Sequence, residues 1–120
     1  MDGHRFAWPI HVHGTLAEDI VAHYKMPCPA TLVAVITTSV ADAHGAMEVG
    51  TVADPNGYLV SYVPGHNDTP DVRDRGDFDG ALNLNTAECP HIAKDTVLEV
   101  TWTHNDANTN VDIQLIFLEG

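Results

Sequence analysis

From Thr31 onward the chain is a succession of short β-rich stretches separated by turn signals, and no other feature constrains its fold so strongly. Thr31-Leu-Val-Ala-Val-Ile-Thr-Thr-Ser-Val40 is dense in branched side chains, which suit a pleated surface. Leu32, Ala34 and Ile36 alternate with Val33, Val35 and Thr37, so both faces are largely apolar and the stretch reads as a strand buried between layers. Ala41 to Gly45 is a turn and Ala46 to Val52 the next strand. In Ala53-Asp-Pro-Asn-Gly57, Pro55 presets φ for a tight turn and Gly57 is expected to accept a positive φ. The following Tyr58-Leu-Val-Ser-Tyr-Val63 returns as the partner, giving a hairpin over residues 46–63. Ala81 to Leu84 could be a short strand, and Pro90 to Thr96 a corner leading into the strand Val97–Thr103. After the turn at Asn105 to Asn110, Val111, Ile113, Leu115 and Phe117 form a period-two stripe running almost to the last residue.

Seven or eight strands at this spacing predict an all-β protein, a two-sheet antiparallel sandwich of jelly-roll or immunoglobulin-like kind. Residues 1–30 carry Pro9, Pro27 and Pro29 and read as an N-terminal arm, distinct from a sandwich over 31–120. Within the arm, residues 16–24 could form one short helix. Thr15 would be its N-cap, Glu18 would complete a capping box, and Leu16, Ile20 and Tyr24 would share a face. An extended strand using the same residues competes with that helix, while Pro9 confines any strand over His4 to Thr15 to an edge or a strand start.

A chain of 120 residues with 44% hydrophobic content is one domain with a core of its own. No apolar run is long enough for a membrane-spanning helix, and Met-Asp-Gly-His-Arg lacks the layout of a secretory signal, so cytoplasmic synthesis is expected. Five Lys and Arg against 17 Asp and Glu leave a formal charge of −12, which repels nucleic acid and anionic membrane alike. Cys28 and Cys89 each precede a proline and are too far apart in sequence for a redox or zinc pair; two thiols are expected rather than a disulfide.

The search for chemistry starts with eight histidines. His11 and His13 would face one way on a strand, and with Glu18 and a later His66 they match the ligand layout of a cupin-type divalent metal site. The framing glycines are missing and Pro9 sits inside the strand, so packed or exposed histidines are the simpler expectation. Asp68, Asp71, Asp74, Asp77 and Asp79 crowd the long polar segment 64–80. Their spacing is not that of an EF-hand loop, and Arg73 and Arg75 stand among them as counter-charges. Arg75-Gly76-Asp77 is an adhesion tripeptide, a match short enough to recur by chance. No nucleophile elbow, phosphate loop or dinucleotide fingerprint is present. A sugar-binding platform would need aromatic residues such as Trp8, Tyr58 and Tyr62 together on one exposed face. No cofactor is expected.

The order of elements over residues 29–120 carries a resemblance. It runs through Pro29-Ala-Thr-Leu-Val-Ala-Val35, Ala46-Met-Glu-Val-Gly-Thr51, Asp54-Pro-Asn-Gly-Tyr-Leu59 and a polar loop ending Asp77-Phe-Asp-Gly80. Pro90 to Thr96, Val97 to Thr103 and Ile116-Phe-Leu-Glu-Gly120 complete it. This resembles the small β-sandwich proteins encoded among the structural genes of tailed bacteriophages and prophages, some of them head-decoration proteins. The resemblance implies a non-enzymatic virion protein, made in the host cytoplasm and displayed on the capsid surface. Its partner would be the major capsid protein or a similar shell lattice, and it would form a homo-oligomer, with a trimer favoured. Partner-binding residues are then sought where the strand pattern breaks: Trp8, Pro9, Ile10 and Tyr24 in the arm, and Arg73, Arg75 and Phe78 in the long loop.

Overall fold

The computed structural model describes residues 4–12, 19–39, 45–64, 70–82, 88–103 and 110–120. Among these are nine strands and no helix: β1 (Arg5–Val12), β2 (Ile20–Lys25), β3 (Ala30–Ser39), β4 (Ala46–Thr51), β5 (Leu59–Tyr62), β6 (Asp71–Arg73), β7 (His91–Ile92), β8 (Val97–Thr103) and β9 (Val111–Glu119). They form two antiparallel sheets. The first has the order β1-β9-β3-β6, with β7 also paired to β3; the second has the order β2-β8-β4-β5.

The pairing is nested. The first strand pairs with the last (β1 with β9) and the second with the second-last (β2 with β8). The third pairs with β6 and β7, which share one edge of β3, and β4 pairs with β5. A chain folded back on itself and then rolled, so that successive pairs alternate between sheets, is a jelly roll. Of the two sandwich types the sequence allows, this is the one formed.

Residues 20–25, part of the stretch that could have been helical, form β2. Ile20, Ala22 and Tyr24 are half-buried while Val21, His23 and Lys25 are exposed, a period of two. Thr15 and Glu18, the capping residues of that helix, lie outside the described residues. The segment that the sequence sets apart as an arm thus contributes an outermost strand to each sheet through β1 and β2.

The core lies between the sheets. Ile113, Leu115 and Phe117 from β9 meet Leu98, Val100 and Trp102 from β8, with Leu32 and Val35 from β3 and Met47 and Val49 from β4. Strand β3 does not alternate simply. Its register on β9 steps from Leu32 opposite Phe117 to Ala34 opposite Ile116, so Val33 is the extra residue of a bulge. The bulge makes Leu32 and Val35, three apart, the inward pair. It falls where β7 ends and β6 has not begun, and there the Cys89 thiol donates to the Val33 carbonyl at 3.8 Å.

The sandwich closes differently along its two sides. On the β1–β2 side, Trp8 stacks on Tyr24 (5.0 Å, 18°), Tyr24 on Phe117 (6.1 Å) and Phe6 on Phe117 (5.0 Å). On the β5–β6 side, the Arg73 guanidinium lies 4.2 Å over the Tyr62 ring. The open edge of β1 is blunted by Pro9. Glu119 N–H donates to the His4 carbonyl, so His4, Phe6, Trp8 and Ile10 turn their backbone groups to β9 and Pro9 turns outward, where no N–H is needed. The edge of β5 is covered by residues 79–82. Asp79 Oδ1 accepts from Val60 N–H at 3.0 Å, Gly80 N–H donates to Tyr58 O and Leu82 N–H to Gly57 O. This explains the glycines: a Cβ on Gly80 would strike the Gly57 backbone, and Gly57 does not use the positive φ expected of it.

Candidate functional site

The described histidines serve the sheets. The β1–β9 register places His11 opposite Asp112, and His11 Nδ1–H donates to Asp112 Oδ1 at 2.7 Å on the outer surface of the first sheet. His23 is opposite Glu99 in the second sheet, with Nε2–H donating to Oε1 at 2.8 Å. His91 Nε2–H donates to the Gly120 carbonyl at 3.1 Å. Of the cupin-like set His11, His13, Glu18 and His66, only His11 belongs to the described residues. Among those residues no group of three or more His, Cys, Asp or Glu is placed to hold a metal ion.

The acids of the long segment are engaged locally. Arg73 donates through Nε to Asp71 Oδ1 at 2.9 Å and through an Nη to Oδ2 at 3.3 Å. Asp77 N–H donates to the Asp74 carbonyl at 2.8 Å, and Asp77 Oδ2 accepts from Asp74 N–H at 2.9 Å, closing a tight turn whose Gly76 has φ +94°. These are structural uses of carboxylates, in which side chain and backbone satisfy one another. Asp68 lies outside the described residues. The turn leaves Arg75 and Gly76 exposed and Asp77 half-buried.

The residues proposed to meet a partner fall into three groups. Trp8, Ile10 and Tyr24 are half-buried and turned into the sandwich, where they pack against the core. Pro9 and Arg75 are exposed. Arg73 is held between Asp71 and Tyr62, and Phe78 is fully buried, so Phe78 anchors the long segment to the core instead of facing a partner. The aromatic platform is not assembled either. Trp8 faces inward, Tyr58 is buried and Tyr62 lies beneath Arg73.

Both cysteines are free and half-buried. Desolvation pushes the Cys28 thiol up, helped by the Glu119 carboxylate. Desolvation also raises Cys89; Asp74 and Glu88 add to this while Arg75 opposes it. Raised thiols are poor nucleophiles at neutral pH. The surface recesses are shallow. One of about 490 Å³ is lined by Pro9, His11, Thr38, Asp112 and Gln114, and another of about 410 Å³ by Val33, Arg75, Glu88, Cys89 and His91.

One surface escapes the sequence reading. The outward residues of the first sheet form rows across its strands: Ala7–Ile116–Ala34, then Pro9–Gln114–Ile36–Val72, with Leu118 beside Arg5 and Thr31. The face is therefore apolar around a single amide. Its signal was present in the sequence, since β3 is apolar on both sides and Ile116 and Leu118 interleave the β9 stripe. A second covering layer was the expectation, but the described strands make only two sheets. The outer face of the second sheet mixes Glu48, His23 and Glu99 with the exposed Val21 and Val97, and the turn 54–57 folds over Gly50. No known protein family, curated protein or solved structure matches the chain.

Proposed function

We propose that this protein is a non-enzymatic structural module of a virion, a decoration or cement protein that docks on a lattice of capsid subunits through the β5–β6 side of its sandwich. The observation that carries the reading is the set of exposed aliphatic side chains on and beside that side: Val60 (43% exposed), Val63 (61%) and Leu82 (43%). They flank the long polar segment with its exposed Arg75-Gly76 tip. Aliphatic groups around a polar edge provide the apolar contact of an interface. The acidic remainder, at net −12, keeps the free module soluble.

Jelly rolls serve capsid proteins, lectins and cupins alike, so connectivity alone does not choose between them. The side chains do. The aromatic residues that a lectin would display are turned inward or covered. Among the described residues, His11, His23, Asp71 and Asp77 are engaged across strands and within turns. The resemblance of residues 29–120 to phage head-decoration proteins points the same way. Co-sedimentation with assembled, purified capsid shells of the phage or prophage that carries the gene tests the proposal. Saturable binding in fixed ratio to the lattice subunit, weakened by Val63→Asp, is expected. No co-sedimentation at protein concentrations up to about 100 µM would overturn it.

A further inference from the structure

The outer face of the first sheet asks for an occupant, and we infer that it is a second copy of this chain, packed sheet against sheet about a two-fold axis near Gln114. Three features of the face support this choice. The first is charge. The molecule carries −12 overall, yet the outward rows of β1, β9 and β3 hold Ala7, Pro9, Gln114, Ile116, Ala34 and Ile36, with no acid among them. Asp112 lies at one end and is paired with His11, while Arg5 lies at the other. The one carboxylate that two copies would bring to this face is Asp112, which is already paired with His11. A cationic partner would find that single engaged acid and no other in these rows.

The second feature is Gln114. It is exposed, on the central strand β9, with Pro9 on one side and Ile36 on the other. A primary amide both donates and accepts, so it can bond to its own symmetry mate across a two-fold axis; a carboxylate or an ammonium cannot. One amide in an apolar field also fixes the register of two otherwise featureless sheets. The third feature is size. Four strand positions at ~4.8 Å and seven residues at ~3.3 Å give roughly 440 Å² of sheet per copy, or about 900 Å² for two before side-chain relief is counted. That is near the ~1,000 Å² at which specific interfaces begin, the size of a weak, reversible contact. A single self-complementary face closes as an isologous pair. A three-fold assembly would require two different patches, so the face favours a dimer over the trimer implied by the resemblance.

Sedimentation velocity from about 1 µM to about 1 mM tests this. The expected result is a reversible monomer–dimer equilibrium. Gln114→Glu changes one exposed atom type and opposes two charges across the axis, so it should weaken the dimer about tenfold or more while leaving the thermal midpoint of the dilute monomer unchanged. Thr101→Glu, on the outer face of the second sheet, should leave the equilibrium as it is. A monomer at every concentration, a trimer, or a dimer indifferent to Gln114→Glu would overturn the inference. So would a monomer whose sheet face binds neutral phosphatidylcholine vesicles. Dimerisation and lattice docking are independent: a protein that dimerises can leave shells bare, and one that stays monomeric can bind them.

Discussion

Replacing Trp8 by alanine asks whether the N-terminal strand belongs to the sandwich or merely leans on it. Trp8 is half-buried, faces inward from β1 and stacks on Tyr24 of β2 at 5.0 Å and 18°; Tyr24 in turn stacks on Phe117 of β9. This chain of rings is the contact that joins the edge strand of one sheet to the edge strand of the other. Truncating a fully buried Trp or Phe costs about 3–5 kcal/mol. Half-burial brings the expectation for Trp8→Ala to about 2–3 kcal/mol, of which about 1 kcal/mol belongs to the ring pair itself. A double-mutant cycle with Tyr24→Ala isolates that pair term as non-additivity of about 1 kcal/mol. Urea denaturation followed by far-ultraviolet circular dichroism is the appropriate assay, because Trp8 is itself a fluorophore. A loss under about 0.5 kcal/mol, or strict additivity with Tyr24→Ala, would refute the reasoning and return residues 1–30 to the status of a loosely held arm.

Three further outcomes follow from individual contacts. Gly80→Ala should destabilise by about 1–3 kcal/mol in the same assay, because the new methyl meets the Gly57 backbone, which cannot yield as a side chain could. Arg73→Ala should cost about 1 kcal/mol through loss of the paired bonds to Asp71 and of the contact over Tyr62, with Arg73→Lys restoring only part of it. Burial holds the Tyr62 phenol well above its ordinary range. The folded state therefore keeps a proton that the unfolded chain releases near pH ~10, so this contribution is complete below pH ~10 and declines above it. Urea midpoints measured between pH ~9 and ~11.5 should fall less steeply for Tyr62→Phe than for the parent; identical slopes would exclude Tyr62 as a source of the decline.

What the sequence could tell depended on whether the controlling interaction was local. The 46–63 hairpin was legible because its turn chemistry lies within Asp54-Pro-Asn-Gly57, and β9 was legible because its stripe has a period of two. Residues 16–24 were ambiguous for a simple reason. Ile20 and Tyr24 are four apart, and four residues bring side chains back to one side in both a helix and a strand. Pairing with β8 settles the matter for Ile20 to Lys25, and that contact is distant in sequence. The bulge at Val33 could not be read at all, since it is fixed by where β7 and β6 divide the edge of β3. Gly57 is expected to take a left-handed turn, yet its φ is not positive, and what approaches it is the Leu82 side chain, a contact distant in sequence.

The site followed the same rule. Phe78 stood among aspartates and looked like a loop residue, yet a lone large aromatic between two glycines was an anchor. The partners of His11 and His23 are 101 and 76 residues away, so only the sheet register reveals that these side chains are engaged. The apolar outer face of the first sheet shows most clearly what a single sequence cannot separate. Apolar residues on both sides of a strand announce two buried faces, and a layer of the same chain and a layer from another molecule look alike in that pattern.

The most direct test of the proposed role is cryo-electron microscopy of purified capsid shells with and without the added protein. Difference density is expected at every equivalent lattice position, fitted by the jelly roll with Val60, Val63 and Leu82 facing the shell. Shells that remain bare under saturating protein, or density that places the β5–β6 side outward, would contradict it.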